Sequence, residues 1–146
     1  MTFSIGQNVI EIEIRALNLL KKSISKVQFE KAVSYLYKTS GKIIISGIGK
    51  SGHIGSKISS TLSSIGSSSF FLHPSEANHG DLGMIKKEDC MILISNSGES
   101  SELLNLILFC KKIKIPIISI TSELKSTLAK QSSAVLLIPK NVEACP

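Results

Sequence analysis

Residues 42–138 predict an α/β fold, a parallel sheet covered by helices on both faces. Three observations lead there. Short runs at about 42–46, 69–72, 90–95, 116–121 and 134–138 are largely apolar, as strands buried on both faces must be. Stretches with helical spacing alternate with them, and parallel neighbours need such crossovers. The polar turns follow the carboxyl ends of the runs, where open α/β sheets bind their ligands.

The elements follow in order. Residues 7–23 set Val9, Ile10, Ile12, Ile14, Leu17, Leu19 and Leu20 among Glu11, Glu13, Arg15 and Lys21. That spacing predicts a helix with a broad apolar face. Residues 25–38 give a second helix, with Val27, Ala32, Val33, Leu36 and Tyr37 inward and Gly41 as its stop. Both precede the first strand and can pack on the sheet or on another subunit. The first strand, Ile43-Ile44-Ile45-Ser46, runs into Gly47-Ile48-Gly49-Lys50-Ser51-Gly52-His53. A helix over about 53–65 follows, ended by Gly66. After the second strand comes a polar connection, 73–81, with one helical turn expected after Pro74. Asn96-Ser97-Gly98-Glu99-Ser100 separates the third strand from a helix over about 101–112. A short helix over about 124–130 leads to the last strand. No repeat, linker or low-complexity run divides the chain, so residues 1–146 are expected to form one unit, with N-terminal helices over about 7–39.

Composition narrows the function. The chain has 146 residues, 42% of them apolar and 19% charged. No apolar run approaches the ~18 residues of a membrane span. Met1 to Gly6 lack a basic segment, and Glu11 and Glu13 interrupt the apolar residues after them, so no signal peptide is expected. Cys90, Cys110 and Cys145 show no metal-like spacing and are expected to be reduced thiols of a cytoplasmic protein. The net charge of +6 suits nucleic acid or a small anion. The lysines are scattered, no RNA-binding motif accompanies them, and aromatics are only 5%, so a small phosphorylated ligand is favoured over nucleic acid.

The first turn fits an anion. A Gly-rich turn at a helix N-terminus points backbone N–H groups and the positive dipole end at a ligand. Gly47-Ile48-Gly49-Lys50-Ser51-Gly52 matches G-x-G-x-x-G, but the acid that a dinucleotide site needs after the second strand is replaced by Leu72-His73. Gly49-Lys50-Ser51 echoes a P-loop, yet the first glycine of that motif falls at Ile44. A phosphate site with Lys50 in it is what remains. A lysine at a helix N-terminus opposes the dipole unless it has a partner. The plain alternatives are a solvated Lys50 and Ser51 as a simple N-cap.

The second turn adds Ser95, Asn96, Ser97, Ser100 and Ser101, a neutral cradle of hydroxyls and an amide. Helix capping accounts for one serine there, not for so many. Glu102 follows in the first helical turn, and Glu143 lies beyond the last strand. Two carboxylates and a lysine around a sugar phosphate suit aldose–ketose isomerisation through an enediol. His73 and His79 flank the connection after the second strand, beside Glu76 and Asp81. That loop also permits a metal site, though no metal is assigned.

With these residues in place, the sequence resembles the sugar isomerase (SIS) domain of the bacterial D-arabinose 5-phosphate isomerase family. The segments that carry the resemblance are 47–55, Phe70 to Met84, Ser95 to Glu102 and Glu143-Ala144-Cys145-Pro146. It implies a three-layer αβα sandwich around a five-stranded parallel sheet of flavodoxin-like type. It implies interconversion of D-arabinose 5-phosphate and D-ribulose 5-phosphate, supplying the Kdo sugar of lipopolysaccharide. Ser51, Ser95, Ser97 and Ser100 match hydroxyls around the substrate phosphate, with Gly49, Asn96 and His73 beside them. Lys50, Glu102 and Glu143 match polar active-site residues, and His79 a histidine in a loop that enters the site. The resemblance leaves open which glutamate takes the proton. It implies a tetramer and no organic cofactor, and from composition no nucleic-acid or membrane partner is expected. The family normally continues into a Ser/Thr-rich helical segment and a CBS pair, so the end of the SIS domain is expected to be absent here. The alternative expectation is a non-catalytic sugar-phosphate-binding module or shortened remnant.

Overall fold

A computed structural model describes residues 2–140 and 144. Its centre is β1 (Ile43–Gly47), buried at every position. A run of isoleucines favours extended backbone, because β-branched side chains pack well on a pleated surface. Around it lie β2 (Ser69–Phe71), β3 (Cys90–Ile94), β4 (Ile117–Thr121) and β5 (Ala134–Leu137), in the order β2-β1-β3-β4-β5. All four pairings are parallel, with Ile45 opposite Phe71 and Ile92, and Ile118 opposite Ile92 and Ala134. The expected parallel sheet is therefore observed.

Side-chain alternation divides the core in two. Ile44, Met91, Leu93 and Ile117 face one way, against Leu72, Leu103, Leu106, Ile107 and Leu128. Ile43, Ile45, Cys90, Ile92, Ile94 and Ile118 face the other, against Ala32, Leu36, Ile58 and Leu62. Each fully buried aliphatic side chain contributes about 1.5–3 kcal/mol. The first face is covered by α4 (Pro74–Asn78), α5 (Leu104–Ile113) and α6 (Thr127–Gln131), the second by α2 (Lys26–Lys38) and α3 (Lys50–Ser64). Short 3-10 turns, Asp81–Met84 and Ser101–Leu103, follow α4 and precede α5.

Several elements differ from the expectation. The first helix, α1 (Thr2–Ser23), starts five residues earlier and buries no residue. In α2 only Ala32 is buried, while Val27, Val33 and Tyr37 turn outward. Gly41 does not stop α2. That helix ends at Thr39, which is extended and returns its N–H to the Leu36 carbonyl. Gly41 instead lies against Glu88 and Asp89, where a Cβ would collide with both. Asp89 is buried there because its oxygens accept from the N–H groups of Lys42, at 2.7 Å, and Lys86, at 2.8 Å. The helix expected over 53–65 begins three residues earlier, at Lys50. The last short helix begins at Thr127, capped by Ser126, rather than near 124.

Candidate active site

The strand order places a switch point between β1 and β3. From β1 the chain crosses to β2 through α3 on one face; from β3 it crosses to β4 through α5 on the other. Loops that part in this way open a crevice at the carboxyl ends of the two strands. The turns after β1 and β3 leave adjacent, paired strands, with Gly47 opposite Ile94. A Cβ on Gly47 would stand 3.0 Å from the Ile94 carbonyl oxygen, so the backbones approach at glycine distance.

The first turn is a helix start without a side-chain cap. Gly49 occupies the N-cap at φ 57° and ψ −127°, a conformation that favours glycine. The first turn of α3 holds no acid, so its dipole end faces the crevice uncompensated. Lys50 opens the helix and is exposed, while Ser51 is half-buried one position on. Ser51 is not the cap that its sequence permitted. The turn sits low on the sheet because Gly52 and Gly55 let α3 close onto it. A Cβ on Gly52 would lie 2.8 Å from the Gly47 oxygen, and one on Gly55 would lie 3.0 Å from Ile45 and from Phe71. On the β2 side of the turn is a cleft of about 360 Å³ lined by Gly49, Gly52, His53, Ser56, Phe71 and His73.

The second turn is wired internally. Ser95 Oγ is buried, accepts the Gly98 N–H at 3.1 Å and lies 2.9 Å from Ser100 Oγ. Ser97 Oγ accepts the Glu99 N–H at 3.2 Å. The Asn96 carbonyl accepts from the hydroxyls of Thr121, at 3.1 Å, and Ser122, at 2.8 Å, and from the Ser122 N–H at 3.0 Å. Gly98, at φ 66°, packs against Ser126. Glu99 reaches across to the start of α6, where its carboxylate accepts the Thr127 N–H at 2.7 Å. That bond holds the Glu99 carboxyl below its ordinary value.

The structure thus brings Gly49, Lys50 and Ser51 to one rim of the crevice, and Ser95, Asn96, Ser97 and Ser100 to the other. Glu102 is exposed in the 3-10 turn leading into α5, accepting from the Ser101 hydroxyl at 3.2 Å. His73 caps α4 through its side chain, and His79 ends α4 and is exposed. Asn78, next to His79, accepts from Asn105 of α5 at 2.9 Å, which ties that loop to the helix after the second turn. Glu143 lies outside the described residues. Among the described residues no three histidine, cysteine or acidic side chains converge as a metal site would require. Cys90 and Cys110 are buried, and burial pushes their thiols up to about 11 and about 12, far from reactive thiolates. The residues that sequence reasoning missed are Glu99, Thr121, Ser122 and Ser126, which shape the second turn from a distance. Only Ser126, an N-cap before Ala129, carried a local signal.

Known proteins share this fold. The family model described as SIS domain matches residues 35–145. Arabinose 5-phosphate isomerase KdsD of Francisella tularensis is 49% identical over 92% of this chain and 42% of its own length. Arabinose 5-phosphate isomerase KpsF of Escherichia coli O6:H1 is 46% identical over 98% of this chain and 43% of its own. The chain therefore spans less than half the length of the curated relatives it matches. An E. coli CFT073 protein solved in complex with arabinose 5-phosphate superposes with a TM-score of 0.91 at 37% identity, covering 98% of this chain and 76% of that one.

Proposed function

The chain belongs to the SIS domain family, and on that premise we propose that it interconverts D-arabinose 5-phosphate and D-ribulose 5-phosphate. The observation that carries this is the crevice between β1 and β3, with an uncapped helix start on one rim and paired serine hydroxyls on the other. A phosphate seated between them receives backbone N–H groups from the Gly49 turn and hydroxyls from Ser51, Ser95, Ser97 and Ser100, with Asn96 holding the turn. The sugar carbons then lie under Lys50. A carboxylate, Glu102 or Glu143, takes the proton from C2 of the aldose. The electron pair forms the C1–C2 double bond of an enediolate, whose charge on O1 faces the Lys50 ammonium. Transfer of the O2 proton to O1 and return of the carbon-bound proton to C1 give the ketose. His79 enters from the α4 loop to handle the hydroxyl protons. Run in reverse, the reaction supplies the arabinose 5-phosphate that serves the Kdo sugar of lipopolysaccharide.

The exposed face of α1 supports an assembly. Phe3, Ile10, Ile14 and Leu17 share one face of the helix and are all exposed, and the helix buries nothing. Such a stripe is covered in the working protein by other copies of the chain, as a homotetramer. The buried free thiols Cys90 and Cys110 fit a cytoplasmic protein, and no helix among the described residues is long and apolar enough to cross a membrane.

Turnover in deuterium oxide tests the chemistry: enediol formation incorporates solvent deuterium at C1 or C2, whereas hydride transfer leaves both carbons unlabelled and excludes the route. Lys50→Ala and Glu102→Gln are each expected to lower kcat by about 10²–10⁴-fold with the fold intact. The second reading is a module that binds sugar phosphate without converting it. The exposure of Lys50, His79 and Glu102, which leaves the rim open to water, favours it. Saturable binding of arabinose 5-phosphate with no ribulose 5-phosphate formed would select that reading.

A further inference from the structure

A cavity of about 460 Å³ lies at the amino ends of β4 and β5, lined by Tyr35, Lys111, Lys114, Ile115, Pro116 and Ser133. Pro116 and Ser133 directly precede the two strands. The crevice stands beyond the carboxyl ends, so the length of β4 separates the two. That is five residues, or roughly 16 Å. The cavity's size falls within the range of small-molecule pockets, about 300–1,000 Å³.

Its polar lining offers donors and no carboxylate. Lys111 and Lys114 are exposed, and neither pairs with an acid among the described residues. Ser133 Oγ accepts the Ile117 N–H at 3.3 Å, which leaves its own hydroxyl proton to give. The Tyr35 hydroxyl is a further donor, with no partner among the described residues. Ile115 and Pro116 make the apolar part of the wall. The adjoining hollow, which shares Tyr35 and Pro116, differs: it holds Glu88 and Asp89 as well as Lys38 and Lys87.

Lysines in the last turn of a helix complement its dipole, and that accounts for Lys111. It does not account for Lys114, the one non-glycine residue at positive φ among those described, with φ 61° and ψ 35°. There α5 closes on itself. The Lys114 N–H bonds to the Lys111 carbonyl at 3.2 Å and the Ile115 N–H to the Cys110 carbonyl at 3.1 Å. Glycine is the usual residue at such a closure, because a Cβ is strained in the left-handed region. A lysine in its place costs stability and sets a cation at the wall of the cavity.

We infer that this cavity is a second anion site, which takes the phosphate group of a small phosphate ester and lays the ester's body against Ile115 and Pro116. The inference is independent of the function proposed above. Sugar phosphates and nucleotides share this chemistry, and the test separates them. Amide NMR reads the chain site by site: Ile115 and Ser133 report on the cavity, Gly49 and Ser97 on the crevice. The ligands are inorganic phosphate, arabinose 5-phosphate and AMP, each titrated at constant ionic strength.

The Ile115 and Ser133 amides are expected to shift saturably, with an ester binding more tightly than inorganic phosphate; the tighter ester names the source. Lys114→Gly is expected to bind about tenfold more weakly at Ile115 and Ser133, to titrate as wild type at Gly49 and Ser97, and to melt at a higher temperature. Lys111→Gln is expected to show the same loss at the cavity without the rise in Tm. A purely structural Lys114 would give the higher Tm with unchanged affinity. Shifts that grow linearly without saturating overturn the site, and so does wild-type affinity in both variants. Equal losses at the cavity and the crevice overturn it as well, since they would report only the change in net charge. Inorganic phosphate that binds as tightly as both esters overturns the assignment to an ester.

Discussion

The turns after β1 and β3 stand on paired strands, yet they are built in opposite ways. The first is shaped by what glycine leaves out. Gly47, Gly52 and Gly55 let backbones close, Gly49 supplies a positive φ, and no side chain caps the helix start. The second is shaped by what its side chains hold. Ser95, Ser97, Asn96 and Glu99 each bond to backbone or hydroxyl within the turn, to Thr121 and Ser122, or to Thr127 of α6. The difference is one of commitment. The first turn keeps its donors and Lys50 for a ligand. The second spends part of its polar chemistry on its own shape and offers a preorganised surface, which lowers the cost of ordering on binding.

Gly98→Ala is the largest test of that contrast. A Cβ there would overlap Ser126, with its Cβ at 2.5 Å, while the backbone sits at φ 66°. Conformational strain and collision together are expected to cost on the order of 4 kcal/mol in denaturant unfolding. Gly49→Ala carries only the first penalty, because nothing lies within 4 Å of its added Cβ. About 2 kcal/mol is expected. Equal losses at the two glycines would erase the distinction between a wired turn and an open one.

Ser95→Ala comes next. It removes the buried acceptor of the Gly98 N–H and the partner of Ser100. A loss of about 1–2 kcal/mol in unfolding is expected, together with weaker phosphate binding. Ser51→Ala, in the open turn, is expected to weaken phosphate binding while unfolding changes by less than about 0.5 kcal/mol. A Ser95 variant with full stability would mean that the internal bonds do not hold the turn.

The same contrast explains what could be read from the sequence. The strands were legible because their isoleucines and leucines are apolar on both faces, and only a covered parallel sheet buries both. The position of Lys50, Ser51 and the serines at the crevice rims was legible because polar turns follow the carboxyl ends of apolar runs. The start of α3 was not, since Lys50-Ser51-Gly52 is a poor helical sequence that is helical to bring Gly52 onto β1. The outward Val27, Val33 and Tyr37 of α2 were misassigned because periodicity reveals a face, not what covers it. Glu99 and Thr127 are 28 residues apart, and no local pattern announces such a bond. His73 as a helix cap escaped for a different reason: asparagine, aspartate and serine are the residues expected there.

The smallest effect concerns the outer tie of the second turn. The Thr127 N–H holds the Glu99 carboxyl below its ordinary value of 4.5. A carboxyl whose value is lower in the folded state stabilises the fold fully above its unfolded value, and that contribution disappears as pH falls through the folded value. Glu123 acts in the same direction, held by the Lys125 N–H and by Lys140, so acid sensitivity of the wild type alone does not identify Glu99. Glu99→Gln does. Its amide oxygen still accepts from Thr127 but does not titrate. The Tm advantage of wild type over Glu99→Gln is expected to be constant near neutral pH and to shrink below about pH 4.5. Glu99 is exposed, so added salt should reduce the difference, as it does for other surface charges. An advantage that stays flat through the acid range would show that the carboxylate is not tied to α6. The second turn would then be held by its serines, Asn96 and the bond from the Leu128 N–H to the Gly98 carbonyl.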